Sequence, residues 1–477
     1  MSMMRSCFLA NILKKNGILS TLVFVPRRYR YKKKWSVNLR EVPNCQQALN
    51  NFDAFYKPYF GEKWLSIRVS LLSLPKYTAV INKYGDTQKI ASQLDDLDLS
   101  NFVDYARSIQ NTETPEKMHM LSDNNNMVHQ SLDVNNSLES NSPDVMRGIN
   151  CDSSEQLSHV NTSNLLDAKS DNLYEDNLNV FVPTDQVYSE RDQLLRDEIS
   201  INSFQPRDAG FEIVPVESIN ISSDINAFVF SRGDVSLFPQ PKPHDKVLGY
   251  YLMDAASVMP VIALDIHPTD QVLDLCAAPG GKSYIILQSL NLYSGGTLRC
   301  NDSSQSRLER LRSVLYSHFH ADIASKVSIT KMDGTEPCSP KYNKVLVDAP
   351  CNADRHAVTE NDNSLFKMSR ARERLGLMDT QKELLISGIK ACVPGGTIVY
   401  STCTLSPAQN DGVIQAALEE LMFTTQIQVV VNDLSSITDL FGHVFTFHKQ
   451  TRYGQLIVPS ISNNFGPSYF AKLTRIK

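Results

Sequence analysis

The chain has 477 residues, 42% of them hydrophobic, with a formal net charge of −5, long enough for two or three average domains or one large domain with appendages. It contains no run of eighteen apolar residues, which excludes a predicted membrane-spanning helix. Its nine cysteines form no C-x-x-C pair, which removes the common zinc spacings, so no metal site is expected, and an odd count in a large chain argues against a disulfide framework.

The charge is unevenly placed. Residues 1–40 carry ten Lys or Arg and no acid, and residues 111–190 carry fourteen acids against three bases, which leaves −4 for the remainder. Neutralised phosphates supply much of the affinity of a protein that binds RNA unaided. A near-neutral body therefore implies a local basic patch or a partner.

In chain order, the basic, acid-free and partly apolar segment 1–40 reads as a presequence for mitochondrial import, with a basic RNA-binding arm as the alternative. Residues 45–107 mix aromatic and aliphatic residues at helical spacing and read as a small helical N-terminal element. The Asn-, Ser- and Asp-rich stretch 110–200 offers too little apolar surface to offset chain entropy and reads as a disordered acidic insert. From 204 to 477 the pattern is α/β. Strands are expected to end at Asp274 and to cover 297–300, 327–330, 344–347, 397–400, 426–431 and 469–473. Helices are expected over 282–290, 304–319, 380–392 and 409–421. Such alternation predicts a parallel sheet covered on both faces.

The sharpest local signal is VLDLCAAPGGKS, Val272 to Ser283: a strand, a tight loop, then a helix. An open α/β sheet binds its ligand at this edge, beyond the carboxyl ends of the strands. Gly280 and Gly281 are expected to let the backbone approach that ligand, and Lys282 to meet a carboxylate. The string is neither a P-loop nor G-x-G-x-x-G, so a nucleoside triphosphate is disfavoured. Asp302 with Arg307, Asp333 with Gly334, and Asp348 follow the next three strands and outline the same pocket. An acid in the place of Asp302 suits ribose hydroxyls, although Asp also caps helices.

Two cysteines lie just past strand ends, Cys351 in VDAPC and Cys403 in YSTCT. Parallel strands would bring both thiols to the ligand edge. Together, DLCAAPGGK, DAPC and STCT resemble the Sun-domain family of RNA cytosine-5 methyltransferases, from about Pro239 to Lys477. FDAFYKPYFGEKWLSIRVSLL, GYYLMDAAS, DAPCNADRHAV and RYGQLIVPSISNNFGP are similar to its mitochondrial branch, which modifies small-subunit ribosomal RNA. Many members continue the first thiol motif as DAPCSGxG; this chain has DAPCNADRH, and that branch also lacks the Gly-rich continuation.

The resemblance implies a Rossmann-like, S-adenosylmethionine-dependent methyltransferase with a small helical N-terminal element. It further implies mitochondrial small-subunit rRNA as substrate, a role in mitoribosome assembly in the matrix, and a helical-repeat partner of the mitochondrial transcription-termination-factor family. It gives the attack on the base to Cys403, product release to Cys351, and a hydrogen bond to the cytosine ring nitrogen to Asp348. The chemistry needs such groups: carbon 5 is a poor nucleophile until a thiolate adds at carbon 6. That thiolate is expected to be favoured by the cofactor's sulfonium and by Lys282. A sibling enzyme acting on mitochondrial transfer RNA, a ribosome-assembly factor that works by binding alone, and a DNA cytosine methyltransferase are the alternatives. The second thiol motif argues against the last.

Overall fold

The structure is a computed structural model that describes residues 43–112 except 96, residue 198, and residues 210–477 except 217, 245, 337 and 338. The expected presequence and nearly all of the expected acidic insert lie outside the described residues.

The N-terminal element holds helices α1 (Asn44–Phe60), α2 (Lys63–Leu72), α3 (Thr87–Asp95) and α4 (Phe102–Thr112). It also contributes strands β1 (Thr78–Ile81) and β2 (Leu99–Asn101), which the helical reading did not include. These pair antiparallel with β4 (Ala227–Phe230) and β5 (Tyr250–Met253) in a four-stranded sheet of order β2-β4-β1-β5. The segments before and after the expected insert are thus stitched into one sheet.

The main sheet is built from β3 (Ile213–Pro215), β6 (Gln271–Asp274), β7 (Thr297–Asn301), β8 (Ser328–Thr330), β9 (Tyr342–Asp348), β10 (Cys392–Thr402), β11 (Val429–Asp433) and β12 (Ser468–Arg475). Their order is β8-β7-β6-β9-β10-β12-β11-β3, with the short strands Phe447–His448 and Gln455–Ile457 appended beside β12. The first five run parallel. β12 is antiparallel to both β10 and β11, so the sheet is mixed rather than wholly parallel. No helix intervenes between Gln455–Ile457 and β12, and without a crossover the chain returns antiparallel.

Alternation along the strands separates two cores. On β9, Leu346 joins the core formed with α5 (Met259–Leu264), α6 (Gly281–Ser289), α7 (Gln305–His318) and the small sheet. Val345 and Val347 join the opposite core, with α9 (Leu377–Ala391), α10 (Asp411–Thr424), α1 and α2. Phe52, Tyr56, Phe60 and Trp64 are almost fully buried in that second core. At about 1.5–3 kcal/mol for each large side chain, this burial fixes α1 and α2 on the sheet. A short helix α8 (Asp354–Thr359) follows β9 and packs against both. Among the described residues, no helix is long and apolar enough to cross a membrane.

Candidate active site

β6 ends at Asp274, and the chain turns through Leu275–Gly280 into α6. Gly280 has φ of +114°, and a Cβ there would sit 2.8 Å from Leu311 Cδ1 on α7. At Gly281 a Cβ would meet the Tyr251 ring on β5 at 3.2 Å. The glycines therefore close the loop against its own protein neighbours. Those neighbours are Leu311 on α7 and Tyr251 on β5.

Asp274 is fully buried. Its Oδ2 accepts from Ser283 Oγ at 2.6 Å, while its Oδ1 has no hydrogen-bond partner. Burial pushes this carboxyl up to about 7. Asp302 follows β7, the neighbouring strand, and is also buried. Its Oδ1 accepts the Ser304 N–H at 2.9 Å, in the turn just ahead of α7. Its Oδ2 lies 3.3 Å from Arg307, too poorly aligned for a hydrogen bond, and has no other partner. Arg307 donates to the Ala278 carbonyl and so spans Asp302 and the loop.

Buried polar atoms are nearly always hydrogen-bonded. Two orphaned acceptors on adjacent strand ends fit a ligand rich in hydroxyl and amine donors, as a nucleoside is. Asp274 was not singled out from the sequence; its position, last in the strand and opposite the loop serine, was the available signal. Asn301 was also missed. It donates to the carbonyls of Leu275 and Met332 and accepts from Thr330 Oγ1 and the Met332 N–H, which ties the ends of β6, β7 and β8 together.

Asp333 is exposed, and its Oδ1 is occupied by Thr335, which donates its N–H at 3.0 Å and its hydroxyl at 2.9 Å. Among the described residues, no hydrogen bond or ion pair joins Asp333 to the other pocket residues. Gly334 is buried where a Cβ would come within 2.7 Å of Leu384, so packing accounts for it.

The second half of the site lies on β9 and β10, which run parallel with Asp348 opposite Ser401. Asp348 Oδ1 accepts from Ser401 Oγ at 2.8 Å, and Oδ2 accepts from Lys282 Nζ at 2.7 Å. Burial works against the Lys282 charge, but the Asp348 carboxylate outweighs it and holds the ammonium above its usual range. Cys351 and Cys403 come just after these strand ends, with their sulfurs 3.3 Å apart. The Cys403 N–H points at the Cys351 sulfur, also at 3.3 Å. Cys351 is buried and Cys403 exposed.

The Cys351 sulfur beside it pushes the Cys403 thiol well up, and Asp348 adds to this, against the opposing pull of Lys282. The expectation that Lys282 favours the thiolate is therefore met only in direction. Its charge is shared with Asp348, to which it donates at 2.7 Å.

A family profile described as 16S rRNA methyltransferase RsmB/F matches residues 261–451. The 5-cytosine rRNA methyltransferase NSUN4 of Xenopus laevis is 36% identical over 464 residues, spanning 94% of this chain and 95% of that one. Its Mus musculus counterpart is 35% identical over 95% of this chain and 94% of its own. The chain belongs to the RNA cytosine-5 methyltransferases. It is an S-adenosylmethionine-dependent enzyme, and both thiol motifs lie within the matched range. The mitochondrial tRNA (cytosine(34)-C(5))-methyltransferase of Mus musculus is 40% identical, but over 47% of this chain and 64% of that one.

Proposed function

We propose that the chain methylates carbon 5 of a cytosine in mitochondrial small-subunit rRNA, with Cys403 as nucleophile, and thereby supports mitoribosome assembly in the matrix. The observation that carries the chemistry is the pair of sulfurs 3.3 Å apart at adjacent strand ends, one exposed and one buried, with Asp348 just before them. The exposed thiol is the one that can reach a base, so Cys403 attacks carbon 6. Asp348 bonds the ring nitrogen beside the exocyclic amine and assists its protonation as the adduct forms. Cys351 assists proton removal from carbon 5 and release of the adduct. The target base leaves its stack to reach the thiols, at a cost of about a few kcal/mol.

Asp274, Asp302, Arg307 and the loop Gly280–Lys282 would hold the cofactor, with Asp333 and Gly334 at the rim. Bound there, it supplies the methyl group and a sulfonium charge that offsets the raised affinity of Cys403 for its proton. Ribosomal rather than transfer RNA is favoured by the near-complete span of the rRNA relatives. The near-neutral charge outside residues 1–40 and 111–190 supports dependence on a partner. We assign that role to a helical-repeat protein of the mitochondrial transcription-termination-factor family. The basic, acid-free residues 1–40 support import. Bisulfite sequencing of mitochondrial RNA with and without the protein tests the reading. Loss of one small-subunit rRNA methylcytosine is expected, and loss confined to a transfer RNA would replace it with the sibling activity.

A further inference from the structure

Asp354 is a fully buried carboxylate in α8, three residues after Cys351. Three neutral groups satisfy it. Its Oδ1 accepts from Thr404 Oγ1 at 2.9 Å, and its Oδ2 accepts the Leu405 N–H at 2.7 Å and Tyr56 OH at 2.9 Å. Thr404 is the residue after Cys403, and Tyr56 belongs to α1 in the N-terminal element. One carboxylate therefore joins the loop of each thiol to the other and both to α1.

The loop that carries Cys351 needs such a tie. Ala353, between Cys351 and Asp354, has φ of +50°, a left-handed conformation that a residue with a Cβ rarely adopts. Strain of that kind persists where surrounding contacts over-determine it. Here Asp354 holds one side. Arg355 holds the other, donating to the carbonyls of Gly466 and Ser70 and to Asn464 Oδ1. On the Cys403 side, Thr404 is fixed further by the Ser406 N–H on its hydroxyl at 3.2 Å and by Asn410 on its carbonyl at 3.0 Å. Leaving a carboxylate fully buried is costly without donors, so the arrangement has a reason beyond packing.

We infer that Tyr56, Asp354 and Thr404 are positioning residues for the methyl transfer. They set the separation and direction of the Cys351 and Cys403 sulfurs, which makes the N-terminal helix α1 part of the catalytic assembly rather than only a cover for the sheet. The inference rests on the reading of Cys403 as nucleophile. None of the three is among the residues assigned above to the base or the cofactor, and their hydrogen bonds run to one another and to the thiol loops. They act by keeping two loops in register, and small displacements of reacting groups are costly in rate.

The test uses the full chain with unmethylated small-subunit rRNA transcript and labelled S-adenosylmethionine. Tyr56→Phe keeps the ring among Phe52, Phe60 and Trp64, and Thr404→Val keeps the side-chain shape. Each is expected to lower kcat by about tenfold to a hundredfold, with KM for RNA and cofactor within about twofold and with a melting temperature lowered by only a few degrees, the effect of taking one donor from a buried carboxylate, so that the chain stays folded at the assay temperature. Thr404→Ser, which restores the hydroxyl, is expected to recover most of the rate lost in Thr404→Val. Unchanged kcat in both variants overturns the inference, as does a loss seen only in KM. A rate loss that tracks melting temperature, with Thr404→Ser no better than Thr404→Val, makes the tie merely structural and also overturns it. Cys403→Ala in the same assay separates the failures. If it stays active, the nucleophile reading falls and takes this inference with it, whereas an inactive Cys403→Ala beside fully active Tyr56→Phe and Thr404→Val removes the positioning role alone.

Discussion

Lys282 Nζ lies 2.7 Å from Asp348 Oδ2, so the cation that pulls on the Cys403 thiol is paired with the carboxylate that precedes both cysteines. This pairing sets the charge around Cys403. Asp348→Asn removes a negative charge and frees Lys282, and both changes favour the thiolate. The variant is therefore expected to alkylate faster at Cys403 with iodoacetamide near neutral pH, read by mass spectrometry. Methyl transfer should nonetheless fall by about 10²–10⁴-fold, the range for losing a positioned proton donor or acceptor. Slower alkylation would mean that Asp348 supports the thiolate, and unchanged transfer would remove it from the chemistry.

Asp302 Oδ2, which has Arg307 as an ion-pair neighbour but no hydrogen bond, gives a second expectation. Asp302→Ala should weaken S-adenosylmethionine binding by about 1–3 kcal/mol, the cost of leaving polar partners unpaired. Calorimetry on the purified chain measures it directly. Because the same side chain also accepts the Ser304 N–H ahead of α7, Asp302→Ser is the useful companion: it retains an acceptor for that turn and should recover stability without recovering affinity. Equal affinity in all three proteins would take Asp302 out of the pocket.

The strand ends and both thiols were legible because each motif carries its own turn and its own chemistry within about a dozen residues. The β6–α6 loop, Asp302, Asp348, Cys351 and Cys403 all stand at strand ends, where a parallel sheet has to place them. What was not legible depends on distant partners. Thr78–Ile81 is a strand because Ala227–Phe230 and Tyr250–Met253 flank it, far along the chain from a segment whose local pattern reads as helix. Tyr56 meets Asp354 across 298 residues, and no local periodicity announces that bond. The local bonds that Thr335 makes to Asp333 Oδ1 are likewise a contact two residues away that a strand-end argument does not weigh.

The raised carboxyl of Asp274 makes a prediction about stability and pH. Its folded value of about 7 lies above the ordinary 3.8, so between those values the folded chain holds a proton that the unfolded chain has lost. Its contribution to stability is therefore full at low pH and is lost as pH rises through about 7. Asp274→Asn cannot ionise and does not share that loss. The melting temperature of Asp274→Asn minus that of the natural chain, both without cofactor, should grow from about pH 5 to pH 7.5 and then level. A difference that stays flat across that range would show that Asp274 ionises as an ordinary carboxylate.

The measurement closest to the central claim sets the two thiols against each other. Cys403 is proposed to form the bond to carbon 6 and Cys351 to help break it, so removing each should fail in a different way. The full chain and its variants are incubated with rRNA transcript and S-adenosylmethionine, then run on denaturing gels and assayed for methyl transfer. Cys351→Ala is expected to accumulate a protein–RNA species that survives denaturation, and Cys351→Ala with Cys403→Ala is expected to show none. Cys403→Ala alone should form no adduct and transfer no methyl, and Cys403→Ser should be nearly as inactive, because a hydroxyl is a far weaker nucleophile than a partly ionised thiol. An adduct trapped by Cys403→Ala, with Cys351→Ala inactive and free of RNA, would reverse the two roles; full activity in both single variants would contradict the account.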